Sequence, residues 1–257
     1  MSVSRSISRP LSYPLTHSIS VFRGALAPLP ALIKSLFSAS EQGAIYIPKP
    51  IVNGAQALFQ DAAGTVPVTA DGDPVGRMID QSGNGYHATQ SVSGSRSVYR
   101  TDGTLHWLEG DGVDDFIDTG LSHQVIWAGY ASVRDISGGG TIFGGRSSTE
   151  TRFYITEDLV AVADAFTSIT SISDGVVSLS IYSGSTFEAK NNGTSVLSGG
   201  YTGTTQPGIS SYLFARNNVG TAVSLASGKF CGAYFGPPVT DDQDLIKYLA
   251  AQAGIAL

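Results

Sequence analysis

The sequence predicts an all-β sandwich, and three observations carry that prediction. From Leu58 onward, short apolar runs alternate with Gly/Asn/Asp/Ser turns. The chain holds 31 glycines in 257 residues and is 42% hydrophobic but only 14% charged, a turn-rich globular composition that is neither disordered nor membrane-spanning. Asn191-Asn192-Gly193 is a strong hairpin signal, because Asn and Gly tolerate the positive φ such a turn requires.

The elements follow in order. Met1 to about Ser20 alternates serine with other residues and contains Pro10 and Pro14, so it reads as extended chain with too little apolar material for a core. Pro28-Leu29-Pro30 introduces Ala31 to Ser40, where Leu32, Ile33, Leu36 and Phe37 recur at helical spacing. Gly43 to Pro50 reads as a connector, since Pro48 and Pro50 impose extended geometry. Strands are expected over 125–133, 141–143, 152–155, 176–182, 186–189, 211–215 and 229–235. The last element differs: Thr240 caps a helix with Asp241, Asp242 and Asp244 in its first turn. Leu245, Ile246, Leu249 and Ala250 face inward, and Gly254 ends it. Two regions result: a basic Ser/Pro-rich arm with a short helix and linker over 1–54, and a sandwich over 55–257.

Charge divides along the same line. Residues 1–50 carry five basic side chains against Glu41 alone, a net of +4, so the remainder of a chain with net charge −6 carries −10. A basic arm on an acidic body suits docking onto an acidic protein surface, and nucleic acid is not expected as a partner because the body repels phosphates. Arg5, Arg9 and Arg23 are the expected anchors, with Tyr13 and Phe22 among the apolar residues that supply docking energy. The single Cys231 excludes an intramolecular disulfide. No run reaches the roughly 18 apolar residues of a transmembrane helix, and the N-terminus lacks a secretory apolar core, so neither membrane insertion nor export by the usual route is expected.

Several segments together resemble the concanavalin A-like/laminin G-like jelly roll of the kind found in tailed-bacteriophage structural proteins. Asp80-Gln81-Ser82-Gly83-Asn84-Gly85-Tyr86-His87-Ala88-Thr89-Gln90 is similar to that family's segment after a first strand, and Leu108 to Ile117 resembles its Asp-rich signature. Val177 to Thr194 resembles its strand and N-G-T hairpin, Phe214-Ala215-Arg216 its I-G-A-R, and Gly228 to Gly254 its closing strand and helix. Phe59 to Thr69 and the serine/arginine-rich opening resemble phage virion proteins. The resemblance implies a jelly-roll sandwich and a non-catalytic virion structural protein: a capsid decoration, head fibre or tail appendage. Its partners would be capsid, portal or tail proteins in a homo-oligomer. The alternative is a lectin for a host receptor or polysaccharide, and the third reading is a glycoside hydrolase, because fold alone does not choose among them.

Candidate chemistry is sparse. Glu109-x-Asp111-x-x-Asp114 has the spacing of the E-x-D-x-x-E carboxylates of laminarinase-like members, with Asp in the third place. Glycines 110 and 112 make the segment read as a turn, so no catalytic residues are assigned. Asp111, Asp114 and Asp115 are calcium candidates without EF-hand spacing, and metals and cofactors are otherwise not expected. His17, His87, His106 and His123 form no zinc pattern. Cys231 reads as a buried thiol in an apolar strand. Trp107, Trp127, Tyr130, Tyr154 and Tyr201 are available to stack on sugar, and no glycan-binding set is assigned among them.

Overall fold

The computed structural model describes residues 28–122, 128–148, 151–169, 172–182, 185–202 and 209–257. In chain order the first elements are α1 (Leu29–Leu36), β1 (Ala44–Tyr46), β2 (Ile51–Val52), β3 (Ala55–Gln56), β4 (Leu58–Phe59), β5 (Arg77–Met78) and β6 (Ala88–Thr89). Next come β7 (Val98–Thr101), β8 (His106–Asp111), β9 (Ile117–Ser122), β10 (Ala128–Ser137), β11 (Thr141–Ser148), β12 (Thr151–Thr156), β13 (Leu159–Val162) and β14 (Ala165–Ser168). The last are β15 (Gly175–Tyr182), β16 (Thr186–Asn191), β17 (Thr194–Gly200), β18 (Ser210–Leu213), β19 (Arg216–Asn218), β20 (Thr221–Val223), β21 (Ser227–Gly236) and α2 (Gln243–Gln252).

Two large sheets form the expected sandwich. The first runs β17-β16-β15-β10-β21-β8-β7, with β1 also on β21. The second runs β14-β13-β12-β11-β18-β9-β6-β5-β4, with β19 alongside β11. Strict alternation sorts side chains between faces. In β15, Val177, Leu179 and Ile181 enter the core between the sheets, while Val176 faces outward. Phe143, Phe153 and Phe235 occupy the middle of that core, and the Phe143 and Phe235 rings meet edge-on at 5.4 Å.

A second core lies on the outer face of the first sheet. Ala128, Tyr130, Val176 and Tyr234 point away from the sandwich and are covered by α1 and α2. Leu29, Leu32 and Leu36 share one side of α1, and Leu245, Ile246, Leu249 and Ala250 are buried on α2 as their spacing requires. Each large aliphatic side chain so buried contributes roughly 1.5–3 kcal/mol. Helix α2 stops at Gly254, whose φ of +73° suits glycine at a helix end.

The differences from the sequence reading have local causes. Helix α2 begins at Gln243 behind Asp242 rather than behind Thr240. Helix α1 ends at Leu36, short of Ser40. The connector contains a strand: Ala44, Ile45 and Tyr46 pair with Phe235, Tyr234 and Ala233 because an apolar run fits between Gly43 and Pro48. Most important for the site, β8 continues as regular strand through Glu109, Gly110 and Asp111. Gly110 is there for contact rather than for turning, since a Cβ would lie 2.8 Å from the Phe214 ring.

Candidate functional site

Strand β8 places two side-chain sets on opposite faces. Leu108 enters the core, while Trp107, Glu109 and Asp111 face outward on the first sheet. Glu109 accepts a 2.7 Å hydrogen bond from Arg100 Nε on β7, and Arg100 also pairs with Asp71 at 3.4 Å. The Glu109 bond and charge raise the Arg100 pKa against its slight desolvation. Lys229 on β21 stands opposite Glu109 in register and holds its Nζ 5.3 Å from the centre of the Trp107 ring. Trp107 is half-buried, and its Nε1 donor has no hydrogen-bond partner among the described residues, so packing alone seats the ring. An indole with an ammonium over one face and a guanidinium and a carboxylate beside it offers apolar and hydrogen-bonding contacts together.

At the end of β8 the calcium candidates do converge. Carboxylate oxygens of Asp111, Asp114 and Asp115 lie within 4.8 Å of one another, close enough for one divalent cation. Asp111 Oδ1 accepts the N–H groups of Val113 at 2.8 Å and Asp114 at 3.2 Å. Partial burial works against its charge, but these bonds hold the Asp111 pKa below the ordinary carboxylate range. Asp115 is the opposite case. Burial first, then the neighbouring Asp111 charge, push its pKa up to about 6, while one N–H bond from Asp111 opposes the rise.

A polar network that sequence reasoning missed lies across the same outer face, under the start of α2. Lys190 Nζ is 3.0 Å from Asp242 and 3.6 Å from Glu188, and the Tyr130 hydroxyl donates to Asp242 at 3.1 Å. Tyr182 donates to Glu188 at 3.4 Å. Burial disfavours the Lys190 charge, yet the Asp242 bond and the two carboxylates raise its pKa overall. The signal was present in the alternation: Ala189 faces inward, which sends Glu188 and Lys190 out together. The network ties α2 to β10 and β16.

The remaining candidates separate. Tyr130 and Tyr154 are buried, at 0% and 1% exposure, so neither offers a free ring face, while Tyr201 is half-buried and packs partly against the inner core. Trp127 lies outside the described residues, as do His17, His123, Arg5, Arg9, Tyr13, Phe22 and Arg23. His87 Nδ1 accepts the Asp80 N–H at 3.2 Å, and His106 Nδ1 lies 2.6 Å from the Tyr99 hydroxyl. Burial pushes the Cys231 thiol up to about 12, which leaves it protonated. Asp80 is an organising carboxylate: it receives the N–H groups of Ile45 at 3.0 Å and Ser82 at 2.8 Å, and thereby fastens β1 to its loop. Among the described residues no helix is long and apolar enough to cross a membrane.

No protein-family model matches the chain, and no curated protein is similar to it. Solved structures do share the sandwich. Domain 4 of AbnA, a GH43 extracellular arabinanase from Geobacillus stearothermophilus solved with arabinotriose, matches with a TM-score of 0.50 at 14% identity, over 66% of this chain and 91% of that one. An arabinofuranosidase complexed with arabinofuranosyl-alpha-1,2-xylobiose matches with a TM-score of 0.53 at 14% identity, over 86% of this chain and 64% of that one. A Trypanosoma rangeli sialidase complexed with the inhibitor DANA has a TM-score of 0.47 at 12% identity, over 82% of this chain and 36% of that one. Likeness at such identity establishes the fold alone. The expectation of a non-catalytic chain is corrected at its premise: β8 is the regular strand whose supposed absence had argued against catalysis, and the sandwich is shared with an arabinanase domain and an arabinofuranosidase. The chain is thus an all-β sandwich of a fold carried by carbohydrate-active proteins.

Proposed function

We propose that this chain is a saccharide-binding attachment protein of a tailed-phage particle, with the sandwich, including α1 and β1, as its binding head and the segment before α1 as its docking arm. The observation that carries the saccharide reading is Trp107 on the outer face of β8, with Arg100, Glu109 and Lys229 around it. Sugar rings present C–H faces to an aromatic plane and hydroxyls to charged neighbours, and this strip supplies both. The likeness to an arabinanase domain solved with arabinotriose supports the reading at the scale of the sandwich. Particle attachment rests on the segments that resemble virion proteins and on the +4 arm before a −10 body. In this reading the arm meets capsid, portal or tail proteins, and the copies form a homo-oligomer set by the symmetry of their site.

The test is a glycan array probed with the full chain and with Trp107→Ala, with sugar release measured on every bound glycan. Binding that disappears in the variant while cooperative melting persists supports the reading; binding of no glycan contradicts it. Location is tested separately, by incorporation of a chain lacking residues 2–24 into particles without the native copy. Full incorporation would remove the arm as the dock.

A further inference from the structure

The outer face of the second sheet gathers cations in a body that is otherwise acidic. Residues 51–257 hold ten Lys and Arg side chains, and three of them, Arg146, Arg152 and Arg216, meet at β11, β12 and β19. The register fixes their common face. Phe143 and Ile155 pair and enter the core, so the next pair, Gly144 with Tyr154, faces outward, and so does Arg146 with Arg152 two residues along. Arginines placed directly opposite each other across an antiparallel pair repel. The third, Arg216, lies with its guanidinium carbon 4.8 Å from the centre of the Tyr154 ring.

Among the described residues no carboxylate pairs with Arg146 or Arg216. Arg146 Nε donates only to the neutral Asn218 Oδ1, at 2.9 Å. Arg216 has no hydrogen-bond partner among the described residues, and its Nε is buried. The contact with Tyr154 holds the Arg216 guanidinium in place, and with Nε buried its two Nη groups are the donors left for a planar acceptor. Two arginine forks presented this way are the partners a carboxylate takes bidentately. The aromatic ring beneath fixes one fork, and the Asn218 bond fixes the other.

We infer that this cluster is a second saccharide site, on the sheet opposite Trp107, which takes the carboxylate of an acidic sugar on Arg146 and Arg216. The inference rests on the saccharide reading above only for the class of molecule that carries the carboxylate. It requires no catalytic step.

Isothermal titration of the full chain with trigalacturonate and with galactotriose tests it. Trigalacturonate should bind at least tenfold more tightly than galactotriose and weaken as salt rises. Its affinity should fall at least tenfold in Arg216→Gln and in Arg146→Gln, and stay unchanged in Trp107→Ala. Arg146→Lys, which keeps the charge but not the fork, should recover only part of the loss. Should Arg216→Gln fail to melt cooperatively, the half-buried Arg146 supplies the same measurement. Equal affinity for the two trisaccharides, or trigalacturonate binding indifferent to both arginine variants, overturns the site. Failure here together with neutral-glycan binding that needs Trp107 would leave the first reading intact. Absence of binding to any glycan would remove both.

Discussion

The outer face of the first sheet contains two regions built by the same alternation and put to different ends. Along β1, β10, β15 and β21 it presents Ala128, Tyr130, Val176 and Tyr234, and two helices cover it. Along β7, β8 and the start of β21 it presents Arg100, Trp107, Glu109 and Lys229, and these charges remain partly exposed. A sheet face dominated by apolar side chains must be covered, so the helices belong to the fold. A face whose one large apolar ring lies among charges, with the Lys229 ammonium over it, can stay open. Changes under the helices should therefore cost stability, and changes on the open strip should cost binding.

The largest effect expected is Leu249→Ala. Leu249 is fully buried beneath α2, so its truncation should cost about 2–5 kcal/mol in chemical denaturation. A loss below about 1 kcal/mol would mean that α2 does not bear on the sheet. Lys190→Met comes next: it leaves Asp242, 5% exposed, without its ammonium partner, and because Lys190 is itself partly exposed the cost should be about 1–3 kcal/mol. Neither change should alter saccharide binding, which sharpens the contrast between the two regions.

Asp115 lies where the open strip ends and predicts a pH-dependent gain. Its folded pKa of about 6 lies above the ordinary aspartate value, so the folded chain is destabilised by this group once pH rises through that window. Asp115→Asn should raise the melting temperature relative to the parent above pH 6, and the difference should vanish below pH 4. A difference constant across that range would contradict the burial assigned to Asp115. Calcium that stabilises the parent and not the variant would place a cation on the Asp111, Asp114 and Asp115 cluster. The smallest effect expected is that of removing residues 2–24, which precede Leu29, the first core residue among those described; melting should change by less than about 0.5 kcal/mol.

The sandwich was readable because its strands keep period-two alternation and its hairpins use residues suited to positive φ, as Asn192 and Gly193 do at 52° and 79°. The turn between β13 and β14 passes through Ala163 at φ 49°, with neither Gly nor Asn at that position to announce it, and that hairpin was not anticipated. The same limit governs the sites. Asp111, Asp114 and Asp115 are close in sequence and were visible as a cluster. Lys190 and Asp242 meet, and Arg146 and Arg216 come onto neighbouring strands, only after sheet pairing brings distant segments together. Gly110 misled because a glycine required for contact with Phe214 looks, in sequence, like a glycine required for a turn.

The measurement that bears most directly on this account is glycan-array binding of the full chain beside Trp107→Ala and Leu249→Ala. The account predicts that Trp107→Ala abolishes binding to neutral glycans while still melting cooperatively, and that Leu249→Ala melts earlier yet binds the same glycans when folded. Binding that survives Trp107→Ala, or a parent chain that binds no glycan, would contradict it.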